Sequence, residues 1–163
     1  MILMFLKITL SRFIFRQMTA PHSSDSKQTR FNSVQAEVHP FCLVCSRSNP
    51  LGLGLKFVCE ADGSVSATFL GHPALEGFQG LLHSGVIASL LDGAMTNCLF
   101  AHGHAAMTGE LNVRYRAPVV IGEEMHLRAW IERSLPPLHL LVAELRQSEC
   151  VKAAATAKFA ERP

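Results

Sequence analysis

The feature that most constrains the fold of this sequence is a long apolar segment, Leu82 to Ala101, with the periodicity of a helix. Apolar side chains recur there at intervals of three and four residues, which is the pattern of a packed helix face. The other faces are almost as apolar, because Asp92 is the only ionisable residue between Val86 and Ala101. A helix that is apolar over most of its circumference is buried inside a domain. We therefore predict a central helix that begins near His83 and ends near Gly103.

Strand-like segments flank this helix on both sides. Before it, two alternating segments surround Asp62-Gly63, a pair typical of β-hairpin turns. After it come three or four longer runs with short connections. The predicted strands are residues 53–61 and 64–70 before the helix, and 105–117, 124–133, 138–148 and 150–159 after it. Short connections predict antiparallel neighbours, and the absence of a helix after the last strands argues against βαβ crossovers. The predicted fold class is α+β, an antiparallel β-sheet wrapped around one long central α-helix.

Composition limits the partners of the chain. Its 163 residues are 48% hydrophobic and 17% charged, with a mean hydropathy of +0.22, so we expect one domain that hides further surface in a homo-oligomer. The net charge is only +2, and the sequence has no block of basic residues. This excludes the positively charged surface that binds nucleic acid. Five cysteines in a chain that is not cysteine-rich predict free thiols in a reducing compartment, the cytoplasm.

The N-terminal part needs a separate interpretation. Three basic residues interrupt its apolar start well short of the roughly 18 residues that a membrane span requires, so we expect no stable membrane insertion. The residues leave open an organellar targeting segment, a true start at Met18, contact with a membrane surface, or packed structure. Residues 21–33 are polar and predict a flexible linker. The expected organisation is an extension at residues 1–35 and a folded domain at 36–163.

Two positions on the predicted helix are candidates for chemistry. Free N–H groups at a helix N-terminus can polarise a substrate carbonyl, and Gly85 has no side chain to hold the carbonyl away. Asp92 is a lone carboxylate that is costly to bury without partners or a function. The alternatives are an ordinary helix start and a structural hydrogen-bond acceptor. The two residues share one helix face but lie about 10 Å apart along the axis, so joint action on one carbonyl requires a dimer that pairs Gly85 of one subunit with Asp92 of the other.

A C-x-x-C pair, Cys42 and Cys45, with His39 nearby raises the question of a metal. A structural zinc site takes four ligands, and no second pair follows in the sequence. Thioredoxin-like chemistry would need a βαβ order that is lacking here. We therefore expect no metal and no resident cofactor, and interpret this segment as a turn that packs against the domain.

Four motifs from about His39 onward resemble the hotdog-fold thioesterases of the phenylacetate-pathway type. Many members of that family have a C-x-x-C-G-x-x-N-P-x-G-L segment, a G-x-x-H-G-G loop, an acid nine residues after the histidine, and a T-x-x-L-N-V-x-Y strand. Here the matching residues read C-L-V-C-S-R-S-N-P-L-G-L at 42–53, G-L-L-H-S-G at 80–85, Asp92, and T-G-E-L-N-V-R-Y at 108–115. The spacing agrees throughout.

This resemblance implies a hotdog fold and hydrolysis of an acyl or aryl thioester to a free acid and coenzyme A, which is part of the substrate. It implies that Asp92 is the general base or nucleophile, that Gly85 N–H polarises the carbonyl, and that Thr108 positions water or the acid. The implied substrate-binding residues are Phe78, Gln79, Gly80, His83, Ser84, Glu110, Tyr115, Arg116, Ala117 and Pro118. Arg116 is suited to the phosphates of coenzyme A. The expected assembly is a homodimer, or a tetramer made of two dimers.

The chain departs from the family at two positions. Ser84 replaces the first glycine of the H-G-G motif, and Gly77 stands where some relatives place an asparagine that holds the attacking water; Gln79 is a candidate substitute. We expect His83 to pack against the backbone rather than to transfer a proton. The alternative function is therefore a non-catalytic, acyl-coenzyme A binding or regulatory hotdog protein. A hotdog hydratase is excluded because its D-x-N-x-x-H pattern is missing.

Overall fold

The computed structural model describes residues 23–161, and the expectations for residues 1–17 lie outside this range. Two α-helices, six strands and a short 3-10 helix (Pro73–Leu75) make up the described fold. In chain order the α-helices and strands are α1 (Ser23–Val38), β1 (Val58–Cys59), β2 (Val65–Leu70), α2 (Ser84–Ala101), β3 (Ala106–Tyr115), β4 (Glu124–Leu135), β5 (Leu138–Gln147) and β6 (Cys150–Glu161). The prediction of an α+β fold with one central helix is confirmed.

Helix α2 packs against a single antiparallel sheet with the strand order β1-β2-β4-β5-β6-β3. Its large apolar side chains, such as Leu90, Leu91 and Met95, are fully buried. The sheet presents small side chains to the core, among them Ala143 and Ala155, which let the helix approach closely. Within the described range, α2 is the one helix long and apolar enough to cross a membrane, but 61% of it is buried inside the domain, as in the core helix of a globular fold.

Two hairpins form the centre of the sheet. The turn between β5 and β6 consists of Ser148 and Glu149, with φ of 50° and 62°. Left-handed conformations at both turn residues match the twist of the flanking strands. The connection between β4 and β5 contains a cis peptide bond at Pro136-Pro137. These neighbours are antiparallel, as the short connections predict.

The expectation that each later strand pairs with the next is wrong for β3 and β4. Strand β3 pairs with β6 at one edge of the sheet, and β4 pairs with β2. Residues 116–123 cross the end of the sheet instead of forming a tight turn. Backbone groups of this segment form hydrogen bonds with the rest of the domain. Leu82 N donates to Val119 O. The buried Gln147 side chain accepts a hydrogen bond from Val120 N and donates one to Val120 O.

The strand predicted at residues 53–61 is reduced to Val58–Cys59. The reason is that its first half bonds elsewhere. Leu53 N and Leu55 N donate to the carbonyl groups of Leu43 and Val44, and Gly54 bends the chain with φ of 62°. This part of the chain is therefore tied to the C-x-x-C segment rather than to the sheet.

The flexible linker expected at residues 21–33 is wrong for the described residues, which form helix α1 from Ser23 onward. Phe31 is 1% exposed and belongs to the core. The Gln28 side chain donates to Phe57 O and accepts from Cys59 N at 2.8 Å. The buried ring of Phe31 and the hydrogen bonds of the Gln28 side chain stabilise a helix here despite the polar composition of the segment. Helix α1 also runs through the domain boundary predicted near residue 35.

Candidate active site

The start of helix α2 is capped by its own sequence motif. His83 is the N-cap residue, and its Nδ1 accepts a 2.9 Å hydrogen bond from Gly85 N. The imidazole thus lies against the backbone, as expected for His83. However, the Gly85 N–H that was predicted to polarise a carbonyl is already bonded. A carbonyl oxygen can bind there only if the His83 ring turns away.

Strand β3 is joined to this helix start by Tyr115. The Tyr115 hydroxyl donates to the carbonyl oxygen of Ser84 at 2.9 Å. Ser84, the residue that replaces a family glycine, is exposed on the first turn of α2. This hydrogen bond links the end of β3 to the beginning of α2.

A cavity of about 570 Å³ lies beside this helix start. Seven of the ten predicted substrate-binding residues line it: Phe78, His83, Ser84, Tyr115, Arg116, Ala117 and Pro118. Its apolar wall, from Leu81, Leu82, Ile87 and Val119, was not predicted. Those four residues look like ordinary core positions in the sequence, and only their place next to the motifs could have indicated a ligand surface.

Three of the predicted substrate-binding residues, Gln79, Gly80 and Glu110, do not line the cavity. Gln79 is exposed on the loop, and Gly80 bends that loop with φ of 75°. Glu110 lies on β3, where it accepts from Lys158 Nζ at 2.6 Å and from Asn112 Nδ2 at 2.7 Å. The hydrogen bond from Lys158 lowers the pKa of Glu110. Glu110 is therefore engaged in a surface network between β3 and β6.

The position of the missing family asparagine is also explained by the cap. A Cβ added at Gly77 would lie 3.1 Å from His83 Cα and 3.2 Å from its Cδ2. Any larger residue at position 77 requires the His83 backbone or ring to shift. Gly77 and the capping conformation of His83 therefore fit each other in this chain, and Gln79 is exposed on the loop outside the cavity.

The predicted acid and threonine meet at the middle of α2. Thr108 Oγ1 donates a 2.7 Å hydrogen bond to Asp92 Oδ1. Asp92 is half-buried rather than buried. A bulge in β3 between Thr108 and Glu110 leaves Gly109 outside the regular pairing with β6, and bulges of this kind commonly redirect a side chain.

The two halves of the candidate site remain separate within one subunit. Asp92 and Thr108 do not line the 570 Å³ cavity, and Gly85 lies two helical turns away from Asp92 along α2. Gly85 and Asp92 nevertheless both lie on the side of α2 that stays partly open to solvent. A single subunit therefore holds an acid on one part of this face and a cavity at another.

The C-x-x-C segment packs on α2 next to the acid. A Cβ added at Gly93 would lie 2.6 Å from Val44 Cγ1, so Val44 rests directly on the helix backbone. All five cysteines are free thiols, as expected. Burial, with Cys42 beside it, raises the pKa of Cys45 to about 12. Burial lowers the pKa of His39, and the Asp92 carboxylate partly opposes this.

An antiparallel sheet packed on one long helix, with a histidine-capped helix start and an acid bonded to the neighbouring strand, defines a hotdog domain. Residues 79–134 match the model of the thioesterase superfamily. The thioesterase superfamily protein from Shewanella loihica is 26% identical, with a TM-score of 0.58 over 68% of this chain and 92% of that one. The chain is therefore similar in fold, and over residues 79–134 in sequence, to the hotdog-fold thioesterase superfamily.

Other proteins share part of the sequence or the fold alone. A segment of 71 residues is 38% identical to acyl-coenzyme A thioesterase THEM4 of Bos taurus, covering 42% of this chain and 29% of that protein. The chain thus spans less than a third of that relative. The Escherichia coli PaaI protein of the phenylacetic acid degradation operon shares the fold, with a TM-score of 0.72 at 16% identity over 86% of this chain and 97% of that one. So does a Streptococcus mutans protein bound to acetyl-coenzyme A, with a TM-score of 0.62 at 16% identity over 66% and 88%.

Proposed function

We propose that this protein hydrolyses an acyl or aryl thioester of coenzyme A to the free acid and coenzyme A. The observation that carries the proposal is the Thr108 to Asp92 hydrogen bond, which orients a carboxylate on the open face of α2. The match to the thioesterase superfamily and the identity to an acyl-coenzyme A thioesterase support the reaction class. No resident cofactor enters this proposal.

In the proposed reaction, Asp92 acts as general base and takes a proton from water as the water oxygen bonds to the thioester carbonyl carbon. The oxyanion that forms is stabilised by N–H groups at the start of α2, including Gly85 N–H. Collapse of this intermediate breaks the C–S bond, and the proton on Asp92 passes to the departing thiolate. A direct attack by Asp92 on the carbonyl carbon, with a mixed anhydride that water then hydrolyses, is the other possible order of steps.

His83 has a specific place in this proposal. Because its ring accepts the Gly85 N–H in the free protein, the substrate carbonyl has to replace it as acceptor. The exchange conserves one hydrogen bond to the helix start. His83 would then act as a cap that yields to substrate, not as a proton-transfer group.

We further propose a homodimer as the working unit, with Asp92 of one subunit serving the cavity of the other. Strand β3, ten residues long, is an edge strand that pairs only with β6 among the described strands. Long open edges are avoided in natural proteins unless a partner covers them. A two-fold axis beside β3 and the open face of α2 would bring Asp92 of one subunit toward Gly85 of the other. A tetramer would be a pair of such dimers.

Recognition of coenzyme A falls to the segment after β3 in this proposal. Arg116 is exposed at the cavity rim, and Ala117 and Pro118 continue along its wall. A guanidinium group suits the phosphates of coenzyme A because it can form paired, charge-assisted hydrogen bonds. The acyl group would then enter beside the apolar residues Leu81 and Ile87.

One observation favours a second candidate function, a non-catalytic acyl-coenzyme A binding protein. The N–H group needed for the oxyanion is bonded to His83, and Ser84 adds a side chain beside it. Such a protein would bind the same ligands without turnover. It would have no use, however, for a carboxylate oriented by a threonine.

The deciding experiment is incubation of the purified full chain with a panel of acyl and aryl coenzyme A esters, followed by chromatographic measurement of released coenzyme A. We expect turnover that falls by about 10²- to 10⁴-fold in Asp92→Asn. The matched control is Glu132→Gln, an exposed carboxylate on β4, with wild-type rates. Ligand binding without turnover by the wild-type chain would instead identify a binding protein.

We also propose a cytoplasmic location. The cysteine content supports it, since five cysteines in a chain of 163 residues do not form the dense, even-numbered set typical of proteins from oxidising compartments. Fractionation of cells that express the full chain tests this, and recovery of the protein from an organelle would contradict it.

A further inference from the structure

We propose that His39, Cys42 and Cys45 form a zinc-binding site next to the proposed active-site acid. One ring nitrogen of His39 and the two sulfur atoms all lie within 4.8 Å of one another. Thiolate and imidazole ligands together favour zinc among the common divalent ions. This site is separate from the residues assigned to hydrolysis, and the proposal does not depend on the proposed function.

The distances are close to what one ion requires. With Zn–S bonds of about 2.3 Å, two sulfur atoms on a tetrahedral zinc ion lie about 3.8 Å apart. The observed upper limit of 4.8 Å therefore leaves roughly one ångström to be closed. In the proposed site, rotations of the cysteine and histidine side chains would close this gap.

The backbone of the segment is already arranged as a tight metal-binding turn would be. Val44 N points to Cys42 Sγ at 3.4 Å, and Ser46 N donates to Cys42 O at 3.1 Å. Ser46 Oγ donates to Pro40 O at 2.7 Å and so fixes the other side of the turn. An N–H group directed at the sulfur of the first cysteine would stabilise that sulfur as a thiolate.

His39 provides an independent indication of an absent ligand. Its Nδ1 is buried and has no hydrogen-bond partner among the described residues. A buried polar atom without a partner costs free energy and calls for an explanation, such as an ion or a water molecule. One face of the ring environment is apolar, since Phe100 packs edge-on at 4.9 Å between ring centroids.

A second cluster, His104, His139 and Glu161, has the composition of a metal site but lacks this indication. Glu161 Oε1 bonds both rings, and His139 Nδ1 also bonds Ser134 Oγ at 2.9 Å. The hydrogen bonds in this second cluster are satisfied without an ion. The comparison therefore singles out the cluster of His39, Cys42 and Cys45.

The site departs from the expectation that no metal binds, which rested on the lack of a fourth ligand. Three protein ligands with water in the fourth position are an established coordination for zinc. The ion would also have a mechanical effect. Val44, between the two cysteines, lies on Gly93 of α2. An ion bound by Cys42 and Cys45 would therefore hold this segment on α2 beside Asp92.

The test is a titration of the reduced, chelator-treated full chain with Co²⁺, followed by Zn²⁺. We expect a sulfur-to-cobalt charge-transfer band and intense visible bands of a four-coordinate ion that saturate at roughly one Co²⁺ per chain. Zinc should abolish both. Cys42→Ser and His39→Gln should each weaken cobalt binding by at least about tenfold. The matched control Cys59→Ser, at another half-buried thiol, should titrate like the wild type.

A flat cobalt titration of fully reduced protein would overturn the proposal, and so would equal binding by Cys42→Ser and the wild type. Reduced protein that takes up no metal, and that forms a Cys42–Cys45 disulfide after brief exposure to air, would also overturn it. If Cys42→Ser does not fold, thermal melting decides. Zn²⁺ should raise the Tm of the wild type and of Cys59→Ser, and an unchanged wild-type Tm contradicts the site. Because no substrate is used, inactive protein that binds Co²⁺ would disprove the hydrolysis and leave the metal site standing.

Discussion

Thr108 Oγ1 and Asp92 Oδ1 lie 2.7 Å apart and join the edge strand β3 to the middle of helix α2. The threonine hydroxyl donates to Oδ1 alone, and Asp92 Oδ2 takes no part in this hydrogen bond. One oxygen can thus be held by the protein while the other faces water or substrate. This division is what a positioned general base requires.

The first prediction concerns this hydrogen bond. Thr108→Val keeps the shape of the side chain but removes the donor, and a hydrogen bond to a charged group contributes about 1.5 to 3 kcal/mol. We expect kcat to fall by about 10- to 100-fold with KM little changed, because the bond orients the acid and does not contact the acyl group. Thr108→Ser, which retains the hydroxyl, should recover most of the rate. Equal kcat values for the wild type and Thr108→Val in steady-state assays would contradict this role.

The second prediction concerns the cap at the start of α2. His83→Ala removes the acceptor of Gly85 N–H, and loss of an N-cap costs about 1 kcal/mol, or a fall in Tm of about 2 to 4 °C for a chain of this size. Because the freed N–H no longer has to be released by the ring, kcat/KM should be maintained or increased. Melting curves and steady-state kinetics measure the two effects.

His72→Ala is the matched control for this cap. Its Nδ1 accepts from Ala74 N in the same local geometry, at 3.1 Å, but outside the cavity. It should lose some stability without any gain in kcat/KM. A loss of about 100-fold in kcat for His83→Ala would instead make His83 a proton-transfer group.

The sequence allowed the centre of the fold to be predicted because its signal is local. The apolar period of α2 and the glycine after it specify a helix within a few residues, and Ser84–Ala101 agrees with the prediction. The partner of β3 was not predictable in the same way. Whether residues 116–123 turn back or cross the sheet depends on Gln147 and on the loop before α2, which are distant in sequence.

Helix α1 was missed for a similar reason. Its stability depends on one buried ring, Phe31, and on hydrogen bonds between the Gln28 side chain and the backbone of Phe57 and Cys59. Neither contact produces a periodic pattern in a polar segment. At the site, the motifs predicted most of the cavity, but Glu110 was misplaced because its partner Lys158 lies on a strand that only the sheet order brings near.

The third prediction tests the recognition of coenzyme A. Arg116→Gln should raise KM for coenzyme A esters about five- to tenfold with little effect on kcat, since a charge-assisted bond to a phosphate would be lost from ground state and transition state alike. The same variant should behave as the wild type with N-acetylcysteamine thioesters, which have no phosphates. An equal effect on both substrates would show that Arg116 acts on the fold or on the acyl group.

The fourth prediction concerns stability and pH. Hydrogen bonds from His104 and His139 lower the pKa of Glu161. A carboxyl group with a lowered pKa stabilises the fold above its unfolded pKa, and this contribution disappears as the pH falls through the folded value. Glu161→Gln should therefore have a lower Tm than the wild type near pH 7, and the two should converge below about pH 4. Glu132→Gln should show no such pH-dependent difference, and parallel curves for Glu161→Gln and the wild type would contradict the assignment.

The last prediction distinguishes a shared site from one within a subunit. Asp92→Asn and Gly85→Val should each be inactive, the second because a Cβ at position 85 meets the His83 ring at 3.1 Å and also blocks the approach of a carbonyl. If the site takes Asp92 from one subunit and Gly85 from the other, a mixed dimer contains one site with both changes and one with neither. Random reassociation of equal amounts should then recover about a quarter of the wild-type activity. Mixtures that stay inactive, although native mass spectrometry shows mixed dimers, would require both residues to act within one subunit.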